Sequence, residues 1–189
     1  MNRYGEEISY DFNLLKVEDY NSLQPFTCGN EKLDAHIHNE IIKNGEIVDE
    51  DGLYFVFRDL STEKIIAVVS LAASGIIFKV GNYTHVLPAI KIDVLAVDKA
   101  YQKMHYDRMS EDSQNRDEHY YFSDDIMGTI LEHCRNISEE GALARYIVLY
   151  ADKDAYRYYE RNGFQDYSEF MIKENNQEIM KNIPMYMQL

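Results

Sequence analysis

Cysteine and proline are scarce in this chain, tryptophan is absent, and basic residues are heavily outnumbered. The two cysteines, Cys28 and Cys134, lie far apart and form no CxxC pair, which excludes a zinc ribbon or a thioredoxin-like redox site. They read as two reduced thiols of a cytoplasmic protein. Lys and Arg number 19 against 33 Asp and Glu, a net charge of −14. That balance argues against broad contact with nucleic acid, whose phosphates are neutralised by Lys and Arg, although a local basic patch can survive in an acidic whole. The longest apolar stretch, residues 65–78, includes Ser70, Ser74 and Gly75 and is too short to span a bilayer. The opening MNRYGEEISYDF carries acids early and has no apolar core, so no signal peptide and no membrane partner are expected. Neither a GxSxG elbow nor a GxxxxGK[ST] phosphate loop occurs. His36 and His38 are two apart and share no helical face, and His105, His119 and His133 have no metal-ligand company, so no metal is expected. Residues 49–52, DEDG, lack the first and last ligands of a calcium loop and read as a turn.

What is present suits a folded interior. Hydrophobic residues make up 46% of the 189, with 16 Tyr and 8 Phe, which sets disorder aside for most of the length. The length fits one domain, residues 1–189. An extended segment is expected near residues 12–17. A helix follows with Asn30 as N-cap, Glu31 in its first turn, Leu33, Ile37 and Ile41 on one face, and Asn44-Gly45 as its stop. Residues 53–57 and 65–71 are rich in β-branched and aromatic residues and read as a hairpin around the turn at 58–64. Residues 89–97, after Pro88, read as a central strand buried on both faces. Residues 103–124 are dense in charge and have no apolar period; they read as an inserted loop whose YYF end at 120–122 docks. A helix beginning at Ser123 or Asp124 follows, with Ile126, Ile130, Cys134 and Ile137 on one face and Gly141 as its stop. Residues 146–150 read as a strand, 152–161 as a helix ended by Asn162-Gly163, and the remainder as a last strand pair. This order of elements predicts a mixed α/β (α+β) fold, a six- to seven-stranded sheet with helices on both faces.

Three motifs in order carry a resemblance. AYRYYERNGF at 155–164 resembles the A-x-x-[FL]-Y-E-x-x-G-F signature of the GCN5-related N-acetyltransferases. LAVD at 95–98 with Tyr101-Gln102 is similar to their acetyl-CoA-binding strand, and FTCGNEKLD at 26–34 to an element of the branch that includes acetyltransferase toxins acting on aminoacyl-tRNA. The resemblance spans nearly the whole chain. It implies a strand splayed from its neighbour, where the backbone of Leu95, Ala96 and Val97 pairs with the pantetheine arm of acetyl-CoA. It also assigns cofactor contacts to Gln102, Lys103, Met127, Gly128, Asp152 and Tyr156. The pyrophosphate turn of the family reads Q-x-x-G-x-G/A, since glycine lets the backbone approach phosphate. Here no glycine follows Gln102 until Gly128. Either the insertion interrupts the loop and DDIMG at 124–128 faces the pyrophosphate, as the donor of Gln102 and charge of Lys103 favour, or the nucleotide half of the site is degenerate.

The implied reaction is transfer of acetyl from acetyl-CoA to a primary amine of a small molecule, protein or peptide, by direct attack. Tyr159 matches the family's general acid, a role a phenol suits because its acidity is close to that of a thiol. Asp93 interrupts an apolar strand, and burial there would raise its pKa toward that of a base; the alternative is a solvated carboxylate paired with Lys91. Asp152 stands where relatives carry Asn and can instead cap the helix. A tRNA-directed toxin is the sharper version, weakened by the charge and by Val94, where that branch commonly carries Arg. A non-catalytic binding module with an impaired phosphate loop is the alternative from another class. Homodimers are common among proteins of this resemblance.

Overall fold

The computed structural model describes residues 8–48, 52–104, 121–170 and 181–189. Its strands and helices are β1 (Tyr10–Leu14), α1 (Tyr20–Leu23), α2 (Glu31–Asn39), β2 (Ile42–Lys43), β3 (Glu46–Ile47), β4 (Leu53–Asp59), β5 (Ile65–Val80) and β6 (Tyr83–Val97), followed by α3 (Phe122–Ile137), β7 (Tyr146–Ala151), α4 (Tyr156–Arg161), β8 (Gln165–Asp166) and β9 (Ile183–Gln188). Among the described residues seven strands form one mixed sheet in the order β1-β4-β5-β6-β7-β9-β8, and β2 and β3 form a separate pair. β6 and β7 are parallel, and β9 is antiparallel to both of its neighbours. The fold is the mixed α/β architecture expected.

The chain divides into two compact units, Met1–Ser70 with Val94–Thr129, and Leu71–Asp93 with Ile130–Leu189. In the first, α2 starts where the sequence places it: the Asn30 side chain accepts from the amides of Lys32 and Leu33 at 3.1 and 3.2 Å. Its buried Ile37 joins Leu23, Phe26 and Ile41 against Tyr54, Val56, Val68, Val94 and Ala96. β4 points its alternate residues the other way. On that face Phe57 meets Tyr10 edge-on and Phe12 at a tilt, and Tyr10 meets Phe122 at the start of α3, ring centroids 5.8 Å apart. Helices therefore cover both faces of the sheet within this unit. In the second, Ile147, Leu149 and Met185 of β7 and β9 are buried, as are Ile130 and Cys134 of α3.

Several elements depart from the sequence reading. Asn44-Gly45 is not a helix stop: α2 ends at Asn39, and Asn44 and Gly45, with φ 53° and 80°, turn the β2–β3 hairpin. Two consecutive left-handed residues make the type of turn that joins tight hairpins, and Asn-Gly suits it best. Ile41 is buried beyond the helix rather than on it. β5 and β6 run on to Val80 and from Tyr83, so Pro88 lies inside a strand rather than before it; the polar residues of this stretch masked its pattern. Past Ala89, β6 is buried on one face only, through Ile90, Ile92, Val94 and Ala96, while Lys91, Leu95 and Val97 are half-buried and Asp93 is exposed. α3 begins at Phe122, 1% exposed, because that ring belongs to the core. A π-helical turn carries the chain past Gly141, and Leu143 with φ 49° ends it. Residues 152–155 form a turn, and the helix begins at Tyr156. Most of the charged insertion, residues 105–120, and residues 49–51 of the DEDG turn lie outside the described residues. None of the helices is long and apolar enough to cross a membrane among the described residues.

Replacing Asn30 by Ala removes a side-chain acceptor from two first-turn amides. Urea unfolding is expected to show a loss of about 1 kcal/mol, and Asn30→Gly only a few tenths.

Candidate active site

β6 ends in a turn that is tied down on all sides. The Asp98 amide donates to the Ile66 carbonyl of β5 at 2.8 Å. Successive residues of a strand turn their amides and carbonyls to opposite edges, so Leu95 and Val97 direct theirs away from β5. The parallel ladder with β7 runs from Ala89↔Tyr146 to Ile92↔Leu149, and β6 continues five residues past it to Val97.

Beyond Val97 the chain is held by carboxylates. Asp98 accepts from the amides of Ala100 at 2.9 Å and Thr27 at 3.1 Å, and the Lys99 amide donates to the Thr27 carbonyl at 2.9 Å. The Gln102 side chain donates to the carbonyls of Cys28, at 2.7 Å, and Val97, at 2.8 Å. The Tyr101 hydroxyl donates to Asp59 at 3.1 Å. The Thr27–Gly29 loop is fixed in turn by Asp34, which accepts from the Thr27 hydroxyl and the Cys28 and Gly29 amides at 2.7, 2.8 and 3.3 Å. Gly29 has φ 88°, a left-handed conformation that favours glycine, and the end of the Lys99 side chain lies where a Cβ would point. The FTCGNEKLD element is thus the brace of the β6 turn.

Burial alone would push the carboxyls of Asp34 and Asp59 up, but their hydrogen bonds outweigh it. Asp34 is lowered to about 2 by the thiol of Cys28, the hydroxyl of Thr27 and the two amides, and Asp59 to about 2 by Ser61, Thr62 and Tyr101. Burial and the Asp34 carboxylate push the Cys28 thiol up to about 11, which leaves it a poor nucleophile.

At the start of α3, Asp124 and Asp125 stand in the first turn, and the Asp124 carboxylate accepts from the Tyr121 amide at 3.3 Å. Met127 is fully buried in the core, whereas Gly128 is exposed and a Cβ there would meet nothing. Gln102 and Lys103 are exposed, Gln102 with its side-chain amide committed as above.

In the other unit, Asp93 is exposed and ion-paired with Lys91, the solvated and paired carboxylate of the alternative reading. The Lys91 ammonium also sits 5.6 Å from the Tyr150 ring centroid. Asp152 accepts from the Asp154 amide at 3.0 Å and so organises the turn before α4. Tyr156 points its hydroxyl to Glu160 at 3.4 Å. Tyr159 is the buried tyrosine of α4, 9% exposed, with its ring edge-on to Tyr158 and Phe164 at 5.2 and 5.8 Å. Burial alone pushes its phenol up to about 12. Among the described residues no group of His, Cys, Asp and Glu is placed to hold a metal.

Sequence reasoning missed the parts played by Asp59, Asp98 and Asp34. A signal existed for Asp98, an acid directly after a strand and three residues before a tyrosine. For Asp59 there was only its place in a hairpin turn.

No protein-family model matches the chain, and no curated protein matches it. Solved structures do. A bacterial toxin is 18% identical, with 96% of this chain and 92% of that one covered and a TM-score of 0.67. AtaTR bound with acetyl-CoA is 14% identical over 95% of this chain and 92% of that one, TM-score 0.63. AtaT complexed with acetyl-methionyl-tRNAfMet is 14% identical, 95% of each chain covered, TM-score 0.60. The chain has the GCN5-related N-acetyltransferase fold expected from its motifs, in the form taken by these toxins.

Because the folded-state values of Asp34 and Asp59 lie below the ordinary carboxylate value near 3.9, their hydrogen bonds stabilise the fold fully above about pH 4. That stabilisation is lost as pH falls toward 2. Stability measured by urea unfolding across this window should fall, and Asp34→Asn should flatten the fall.

Proposed function

We propose that the protein is an acetyl-CoA-dependent N-acetyltransferase whose acceptor is the α-amine of an aminoacyl-tRNA. The observation that carries acyl transfer is the end of β6, where Leu95 and Val97 turn backbone groups to an edge that the ladder with β7 does not reach. Those residues fit the pantetheine arm, an amide-bearing chain able to pair as an added strand. The Leu95 amide and carbonyl and the Val97 amide would hold it, with Ala96 between them in the core. The Val97 carbonyl is already met by Gln102, which sets the end of the strand. For the phosphates the chain offers Lys103 and the open space above Gly128, against the acids at 124 and 125. Asp152 and Tyr156, flanking the start of α4, complete the cofactor residues.

When bound, acetyl-CoA supplies the thioester carbonyl that the amine attacks and the thiolate that departs. Tyr159 is a phenol protonated at neutral pH, raised further by burial, and it would deliver that proton to the departing sulfur. The amine loses a proton as the C–N bond forms. Asp93, open to solvent, accepts that proton through water, and Lys91 holds the carboxylate in place.

The aminoacyl-tRNA acceptor is supported by the FTCGNEKLD element and by the likeness to AtaT complexed with acetyl-methionyl-tRNAfMet. A second reading, a cationic small-molecule or peptide amine, is favoured by the net charge of −14, which attracts cations. Labelled acetyl-CoA offered with charged tRNA, deacylated tRNA or polyamines separates them: label on charged tRNA alone supports the first, and label on polyamines alone the second.

Acetyl-CoA at ~100 times its Kd should stabilise the fold by roughly 2.7 kcal/mol in thermal melts. No shift at millimolar cofactor would leave a non-catalytic module. Tyr159→Phe should retain that shift and lower kcat by ~10²–10⁴. With the phenol at about 12, kcat/KM should rise as the acceptor amine deprotonates, with no descending limb from Tyr159 through about pH 10.

A further inference from the structure

The unit that holds the end of β6 also has a cavity that none of the residues above lines. Its volume is about 450 Å³. One wall is the 3₁₀ turn at Val17–Asp19 with the start of α1, which presents Val17, Glu18, Tyr20 and Asn21, and the other is the tip of the β2–β3 hairpin, Asn44 and Gly45. Ile42, the remaining lining residue, is 8% exposed and belongs to the same buried cluster as Val94 and Ala96 of β6.

Both walls are held from behind. Asp19 accepts from the Lys16 amide at 2.9 Å and from the Arg58 guanidinium of β4 at 2.5 Å, which pins the turn to the sheet. Asn44 and Gly45, with φ 53° and 80°, close a hairpin in which Ile42 pairs with Ile47. A cavity so braced needs little ordering when a ligand enters.

The lining is half apolar and half polar, and its polar groups are uncommitted. Arg58 neutralises Asp19, and Glu40 pairs with Lys43. By contrast the side chains of Glu18, Tyr20, Asn21 and Asn44 make no hydrogen bond or ion pair among the described residues. Val17 and Tyr20 stay 38% and 43% exposed. One uncompensated carboxylate, in a chain of net charge −14, favours a cation and repels a free carboxylate. Two carboxamides and a phenol can each donate and accept, which suits a neutral carbonyl.

We propose that this cavity binds a primary ammonium carried on an apolar body beside a neutral carbonyl, the chemistry of an apolar α-amino acid whose carboxyl is blocked as an amide or ester. Glu18 pairs with the ammonium, Val17, Ile42 and the Tyr20 ring cover the side chain, and Asn21 and Asn44 meet the carbonyl. Two sources share this chemistry: the end of the acceptor that becomes acetylated, and a separate amine that is bound and left unmodified. Only the first rests on the acyl-transfer reading.

Isothermal titration calorimetry of the full chain with L-leucinamide tests the site. It needs no acetyl-CoA, so its failure is distinct from a failure of acyl transfer. L-Leucinamide is expected to bind; N-acetyl-L-leucinamide, glycinamide and free L-leucine, which lack the cation, the apolar body and the blocked carboxyl in turn, should each bind about tenfold more weakly or worse. Glu18→Gln removes the charge at constant size and should weaken L-leucinamide about tenfold while leaving N-acetyl-L-leucinamide unchanged. Tyr20→Ala, which removes an exposed ring, should weaken L-leucinamide as well, and it carries the test should Glu18→Gln fail a thermal-melt check of folding. Mass spectrometry after incubation with acetyl-CoA then assigns the source. Acetylated product that falls with Glu18→Gln marks the acceptor's own end, and any other product pattern with binding intact marks a separate amine. The proposal is overturned by the absence of binding at millimolar L-leucinamide, by equal binding of N-acetyl-L-leucinamide, or by an affinity that the folded variants leave intact.

Discussion

The carboxylate of Asp34 is the contact on which the site is built. It gathers a hydroxyl and two amides from the Thr27–Gly29 loop, and that loop presents its remaining backbone groups to the chain leaving β6. Asp98 answers from the other side through the Thr27 amide, and Gln102 spans the Cys28 and Val97 carbonyls. Two loops distant in sequence become one rigid unit, and the last residues of β6 are fixed by it. An edge that is to take up an amide-bearing ligand gains from being held in advance, because ordering it at binding would subtract from affinity.

Tyr159 and Tyr101 show how burial sorts similar side chains. Both phenols are raised, Tyr159 by burial alone and Tyr101 by burial and then by its bond to Asp59. Tyr101 is thereby committed to structure, a lock between the turn after β6 and the β4–β5 turn. Among the described residues Tyr159 is given no such acceptor. A buried phenol that keeps its proton and has not spent it is chemically the more available of the two.

Much of this was legible before the structure. The Asn30 cap, the β4–β5 hairpin and the end of α4 at Asn162-Gly163 follow from local chemistry, and local chemistry decided them. What escaped the sequence depended on partners far along the chain. Asn44-Gly45 is as good a helix stop as a hairpin turn until Ile42 finds Ile47 across from it. Asp93 could be read as buried, from its apolar neighbours, or as a solvated partner of Lys91, and the fold selects the second, because its face of β6 is the open one. The ribbon at 71–88 carries too many small and polar residues to declare itself as strand, and only pairing makes it so. At the start of α3, the acids at 124 and 125 and the open space at Gly128 match no phosphate-binding motif.

The Phe122 amide donates to the Met104 carbonyl at 3.0 Å, so the chain returns at Phe122 to the point it left at Met104. With its two feet joined, a segment there can lengthen or shorten without moving β6 or α3, since the entropy of closing a loop grows only with the logarithm of its length. This doorway is where the scaffold can gain or shed sequence most cheaply, and relatives built on the same frame are free to differ there while keeping the sheet unchanged.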